Sequence, residues 1–370
     1  MTLLNDLTGA PPGMSPRALL LRLAAIGAVV GTTAGAFAAA GGWLSPGRLT
    51  PARVVDRFEQ VNGPHPGFRR NHAKGLCVAG TFTGNGAGLR LSRAGVFPAG
   101  RVTPVEGRVA LAGGQPYAAD AGATVRSLAL RFRLPDGEEW RTGVNNIPVF
   151  PVRTPEDFYE QLRAAQPDPA TGKPNPERLK AFFAAHPESA KAAALIKARM
   201  VTSGFADSTY WSLNAFRFVA ADGNTRAVRW AFVPDGIAAP ETAAQTAQGD
   251  KNYLFDALAA QLRQGPQRWH LVVTLAQAED PTADATRPWP AEREAVDLGT
   301  LTLTEATPEA AGNCRDINFD PLVLPDGIAP SDDPLLSARS AAYAQSFTRR
   351  AGEAKTPSAV TDGPHRGAGL

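Results

Sequence analysis

Cysteine is nearly absent from this chain of 370 residues: Cys77 and Cys314 are the two it has. Two thiols cannot build a cysteine-rich zinc site or the disulfide framework of a small secreted domain. They leave two readings open, one disulfide if the chain is exported or a pair of free core thiols. Histidine is almost as scarce. The five are His65, His72, His186, His270 and His365, and no H-x-x-x-H spacing joins any two, which speaks against a histidine-built metal site. Excess charge is missing too. The 38 Lys and Arg nearly balance 35 Asp and Glu, leaving +3. The basic residues are scattered rather than gathered into a stripe, so the pI near 9.0 does not indicate a nucleic-acid surface. No internal repeat is present. The 36 glycines and 32 prolines argue for a loop-rich fold and against a helical bundle.

One long stretch lacks charge altogether. "LAAIGAVVGTTAGAFAAAGGWL", from Leu23 to Leu44, runs 22 residues, enough to span a bilayer. Arg17 and Arg22 precede it, which places the N-terminus in the cytoplasm. Its length favours an uncleaved anchor over a signal h-region, although Ala36-Phe37-Ala38 offers a signal-peptidase site. The expected organisation is a cytoplasmic tail at 1–17, an anchor or signal segment at 18–44, one domain at 45–351 and a disordered Gly/Pro/Ser-rich tail at 352–370.

Within the domain, short β-rich runs come first: "KGLCVAGTF", "GRVALAGG", "TVRSLALRFRL" and "VFPV". "PDGEEW" is a hairpin turn signal. The period then becomes helical in "PEDFYEQLRAA" and "NPERLKAFFAAHPESAKAAALIKARM". Strands return in "WSLNAFRFVAADGNTRAVRWAFV", "RWHLVVTLA" and "DLGTLTLTE", and "SDDPLLSARSAAYAQSFTRR" opens a last helix behind an acidic cap. Seven or eight antiparallel strands with inserted and flanking helices predict an α+β fold around a β-barrel, preceded by one transmembrane helix. "GNGAG" at 84–88 has no helix pattern after it and reads as a loop rather than a nucleotide site.

Three segments carry chemistry. In the last helix, Arg339, Tyr343 and Arg350 fall on one face at about 100° per residue, while Arg349 points elsewhere. That face is neither an apolar core stripe nor a mixed solvated surface. A phenol held as phenolate needs a cation or a metal beside it. "FRRNHAKG" sets His72 among Arg69, Arg70 and Lys74 just before a β-run, and "GVNNIPVFPVRTPEDF" sets paired amides ahead of Phe158.

Together these segments resemble the haem catalases. His72 in "R-x-x-H-A-K-G" matches that family's distal histidine, and Asn145 in "N-N-x-P-V-F" its distal asparagine. Arg339 and Tyr343 in "R-x-x-x-Y", with Arg350 seven further on, match its proximal helix, and "INFDPLVLPDGIAPSDDPLLSAR" its lead-in. The resemblance implies haem b, with Tyr343 as the iron ligand, a type of ligation known in catalases. It implies propionate contacts from Arg69, Arg108 and Arg350, and a porphyrin stack from Phe158. It covers residues from about 60 to 350.

The sequence also departs from the large catalases. Ala110 stands where a serine usually bonds the distal histidine, Pro151 replaces a phenylalanine, and Asn71 replaces a valine before His72. The long N-terminal arm and C-terminal helical region are missing. These features look like the small catalase-related peroxidases. The resemblance then implies peroxidation of organic hydroperoxides or hydrogen peroxide with a small organic electron donor, in oxidative-stress defence, with weak catalase activity. It implies a monomer or dimer rather than a woven tetramer, anchored in the inner membrane with the catalytic domain facing the periplasm. Two rival readings are a hydroperoxide isomerase or dehydratase on the same fold, and a haem-binding module without turnover.

Overall fold

The computed structural model describes residues 15–41, 43–45, 47–247, 250–310 and 314–361. The chain forms two compact units, Met1–Thr50 and Pro51–Leu370. Among the described residues, the first contains one helix, α1 (Pro16–Ala40). Ser15 caps it by accepting the Ala18 amide at 3.3 Å, and Pro16 stands in the first turn, where its missing N–H costs nothing. No residue of α1 is buried, and the helix is apolar along most of its length. Its 25 residues measure about 37 Å, longer than a bilayer's hydrocarbon core. Length and composition suit a membrane span or a signal sequence alike. Residues 1–14 of the expected tail lie outside the described residues.

In the second unit, α2 (Pro51–Asn62) precedes the strands β1 (Gly75–Gly84), β2 (Val102–Leu111), β3 (Arg126–Arg133) and β4 (Glu139–Asn145). Three helices follow, α3 (Pro155–Ala164), α4 (Pro176–Ala185) and α5 (Pro187–Ala198). Next come β5 (Tyr210–Trp211), β6 (Phe216–Val219), β7 (Thr225–Pro234), α6 (Ala243–Ala247) and α7 (Tyr253–Gln264). The chain continues through β8 (Gln267–Leu275), β9 (Ala295–Thr307), β10 (Ile328–Pro330) and α8 (Pro334–Ala351). Among the described residues, β1–β5 and β7–β9 close into an eight-stranded antiparallel barrel through the β7–β8 pairing, while β6 and β10 extend from β7.

Alternation decides which side chains fill the barrel. Leu128, Leu130 and Phe132 of β3 point inward, as do Trp140 and Val144 of β4 and Trp230 and Phe232 of β7. Trp140 stacks on Phe132 at 4.7 Å and meets Trp230 edge-on at 5.2 Å. Each such fully buried side chain contributes about 1.5–3 kcal/mol. The opposite face of β2–β4 carries small and polar residues, and the helices pack over it.

Three expectations change. "VFPV" forms no strand: Val149–Val152 belong to the turn before α3, where two prolines interrupt any ladder. The long helical run of 175–200 is two helices, because Pro187 starts a new one at its first position. Residues 353–361 are fastened down rather than loose. Glu353 pairs with Arg70, the Thr356 and Ala359 carbonyls accept from Arg315 and Asn252, and Val360 enters the core. Residues 362–370 of the expected tail lie outside the described residues.

Candidate active site

A cavity lies between the outer face of β2–β4 and helices α2, α3 and α8. All eight residues singled out from the sequence line it: Arg69, His72, Arg108, Asn145, Phe158, Arg339, Tyr343 and Arg350. They come from five separate segments, so only the tertiary fold gathers them.

The segment "FRRNHAKG" supplies the histidine, and its neighbours hold the turn. His72 adopts φ 56°, a left-handed conformation rare for a non-glycine residue. The Asn71 carboxamide oxygen accepts from the His72 amide at 3.0 Å and from the Gly113 amide at 2.8 Å. Arg108 donates to the His72 and Ala73 carbonyls at 2.7 and 3.1 Å. Lys74 is buried against Asp120 at 2.6 Å. Gly75 has a reason as well, since a Cβ there would stand 2.3 Å from the Arg108 guanidinium. Asn71 thus braces the backbone while also lining the cavity. Leu213, at φ 65°, is a second left-handed residue on the cavity, and such strain persists where surrounding contacts over-determine it.

The histidine does not lack a hydroxyl partner, as Ala110 had suggested. Ser127 Oγ lies 2.9 Å from His72 Nδ1 and also donates to Asn145 Oδ1. Burial pushes the His72 pKa down to about 3, helped by the Arg108, Arg339 and Arg69 charges and opposed by a backbone contact at Leu111. The imidazole is therefore neutral at ordinary pH and able to accept a proton.

On the opposite wall, Asp333 caps α8 by accepting the Leu335 amide at 2.9 Å. Its other oxygen receives Asn214 at 2.7 Å, and Asn214 in turn accepts from Arg339. This chain of contacts fixes the Arg339 guanidinium, 5.9 Å from the Tyr343 ring centre. The Tyr343 hydroxyl forms no hydrogen bond to any described residue. It faces β4 at Gly143, where a Cβ would stand 3.8 Å from it. Arg349 points away, as its helical position requires, and pairs with Asp56 of α2 at 2.6 Å.

The arginines form a buried cluster short of negative charge. Arg69 reaches the Ile317 and Cys314 carbonyls at 2.7 and 3.1 Å, and Arg350 the Arg315 carbonyl at 2.6 Å. Burial first, then the charges of Arg350 and Arg108, lowers the pKa of Arg69 well below its ordinary value; burial and then Arg108 lower that of Arg350 to about 10. Glu309, which the sequence did not single out, is buried in the same cluster but bonded to Arg108 at 2.7 Å. Arg108 is thereby committed to Glu309 and two carbonyls. The Nε atoms of Arg69 and Arg350 are buried without partners among the described residues. Buried guanidinium charges with donors left over and no carboxylate beside them call for an anion, and a planar tetrapyrrole with two carboxylates fits that demand. The cross-strand rows Arg108–Ala129–Gly143 and Ala110–Ser127–Asn145 offer it a floor of mostly small side chains. Phe58, Phe150 and Phe158 form an aromatic wall, with rings 5.7–5.8 Å apart, and Pro151 is not part of the lining.

The pairing of the two cysteines was open in the sequence. Cys77 and Cys314 form a disulfide between β1 and the short turn Cys314–Asp316, beside the carbonyls that hold Arg69 and Arg350. His186 gathers Asp157, Glu160 and Glu188 at 3.2–3.6 Å, and none of these four lines the site cavity.

The model of the family described as Catalase matches residues 49–358. The chain is 39% identical over 334 residues to a catalase-related peroxidase of Synechococcus elongatus, covering 90% of this chain and 96% of that one. It is 34% identical over 307 residues to a catalase-related peroxidase of Mycolicibacterium paratuberculosis, covering 83% and 96%. Among solved structures, a fungal catalase superposes with a TM-score of 0.71 at 19% identity, over 78% of this chain and 60% of the other.

Proposed function

This chain belongs to the catalase family, within its catalase-related peroxidases, and from that premise we propose that it reduces organic hydroperoxides or hydrogen peroxide with a small organic electron donor, using haem b. The observation that carries the reading is the pairing of neutral His72 and Asn145 on one wall of the cavity with an unbonded Tyr343 phenol on another. Tyr343 would bind the iron, Arg339 would stabilise its anionic form, and Arg69 and Arg350 would hold the propionates through charge-assisted bonds. Arg108 would set the potential of that end while bracing the His72 turn. The haem would supply the redox-active iron at which the O–O bond is cleaved.

The protein's own part is proton transfer and exclusion of water. His72 takes the proton from the peroxide's terminal hydroxyl and returns it to the departing oxygen, which leaves as alcohol or water, so one group serves as base and then acid. Asn145 holds the peroxide in line. The aromatic wall favours an organic group over bulk water. We place the domain outside the cytoplasm, tethered by α1, because a disulfide persists in oxidising compartments. Oxidative-stress defence as a monomer or dimer completes the proposal.

The test compares oxygen evolution from hydrogen peroxide with dye oxidation by cumene hydroperoxide on one haem-loaded preparation. Dye oxidation is expected to dominate. Rapid oxygen evolution without dye oxidation would make this a short-chain catalase, and donor-free loss of the hydroperoxide would point to an isomerase.

A further inference from the structure

Ala110, Ser127 and Asn145 are successive cross-strand partners on β2, β3 and β4. Cross-strand partners project to the same face, so the side chain at 127 stands between the other two. The hydroxyl that position 110 lacks is therefore present one strand away, in the same row. It is buried, 8% exposed, and serves two groups at once.

Counting hydrogens fixes what it does. A serine hydroxyl has one proton and two acceptor sites. Ser127 donates its proton to Asn145 Oδ1. At His72 Nδ1, 2.9 Å away, it can then only accept, so Nδ1 must carry a hydrogen. The lone pair of the neutral ring is left on Nε2. With Oδ1 turned to Ser127, Asn145 keeps its Nδ2 hydrogens for the cavity. The cavity is thereby offered one acceptor and one donor. A hydroperoxide has the matching pair, a hydroxyl that donates and an oxygen that accepts.

We propose that Ser127 is a positioning residue that selects the His72 tautomer and the Asn145 amide orientation together, replacing from β3 the hydroxyl that β2 does not provide. The functional consequence rests on the peroxidase reading above, whereas the tautomer itself does not.

The experiment uses the full chain in detergent, prepared without haem and labelled with ¹⁵N at histidine. Nitrogen shifts then report which ring atom of His72 is protonated, with His72→Gln supplying the assignment. The native chain should show hydrogen on Nδ1 alone. Ser127→Ala should give mixed tautomers and, after haem loading to the same content, roughly 100-fold slower hydroperoxide consumption, the loss expected for a misplaced catalytic group. Ala110→Ser combined with Ser127→Ala should restore both readouts in large part. If the alanine variant does not fold, Ser127→Cys makes the same comparison, being nearly isosteric and a poor hydrogen-bond partner. An unchanged tautomer in either variant would overturn the proposal. So would failure of the double variant to recover anything, since the loss would then reflect packing. A native chain with the expected tautomer but no peroxide consumption would sink the peroxidase reading and leave the role of Ser127 standing.

Discussion

Replacing both cysteines by serine should weaken the fold and the site together. The bond joins residues 237 apart, so its loss frees a long loop in the unfolded chain. The chain-entropy relation gives about 5 kcal/mol at room temperature for a loop of that length, and removal of native disulfides costs about 2–5 kcal/mol. The native state loses something more specific. Cys314, Ile317 and Phe319 form a small core with Cys77, and the Cys314, Arg315 and Ile317 carbonyls receive Arg69 and Arg350. Without the covalent tie that turn can drift from β1, taking the carbonyls with it. Haem affinity should then drop about tenfold, as when outer-shell partners of a metal site are lost. Guanidinium denaturation and haem titration of the detergent-solubilised full chain measure the two effects, with reductant on the native protein as a control. An unchanged midpoint and an unchanged haem affinity would refute the reasoning. Maleimide labelling of freshly extracted cells supplies the compartment test: both cysteines should resist until reduced, and free thiols there would contradict export.

Tyr343→Phe should cost more haem affinity than the roughly 10–100-fold typical of outer-shell changes and should alter the ferric spectrum; an unaltered spectrum at full occupancy would remove Tyr343 as the ligand. Arg349→Ala should leave haem binding intact and change stability by no more than about 1 kcal/mol, because its ion pairs with Asp56 and Glu59 are partly solvated. His72 has an ordinary pKa of 6.5 and a folded value of about 3. As pH falls through that interval the unfolded chain binds the proton first, so stability declines from pH 6.5 towards 3 and is unaffected by His72 above it. Hydroperoxide consumption should accordingly show no inflection near pH 6.5, and an inflection there that disappears in a His72 variant would contradict the buried neutral base.

What could be read in the sequence was local. Helical spacing alone put Arg339, Tyr343 and Arg350 on one face and Arg349 off it, because 3.6 residues per turn is a property of the backbone. Proline placement marked the helix starts, alternation marked most of the strands, and an uncharged run marked α1. What tertiary structure decided was every relation between distant segments. Strand register is set by the whole barrel, and a shift of one residue would turn Ser127 to the other face. Hence the sequence showed Ala110 as a missing hydroxyl, and only the β2–β3 register revealed where the hydroxyl had gone. The Cys77–Cys314 bond, the commitment of Arg108 to Glu309 and the fastening of residues 353–361 have the same origin. Each depends on loop closure over dozens to hundreds of residues, which no local pattern encodes.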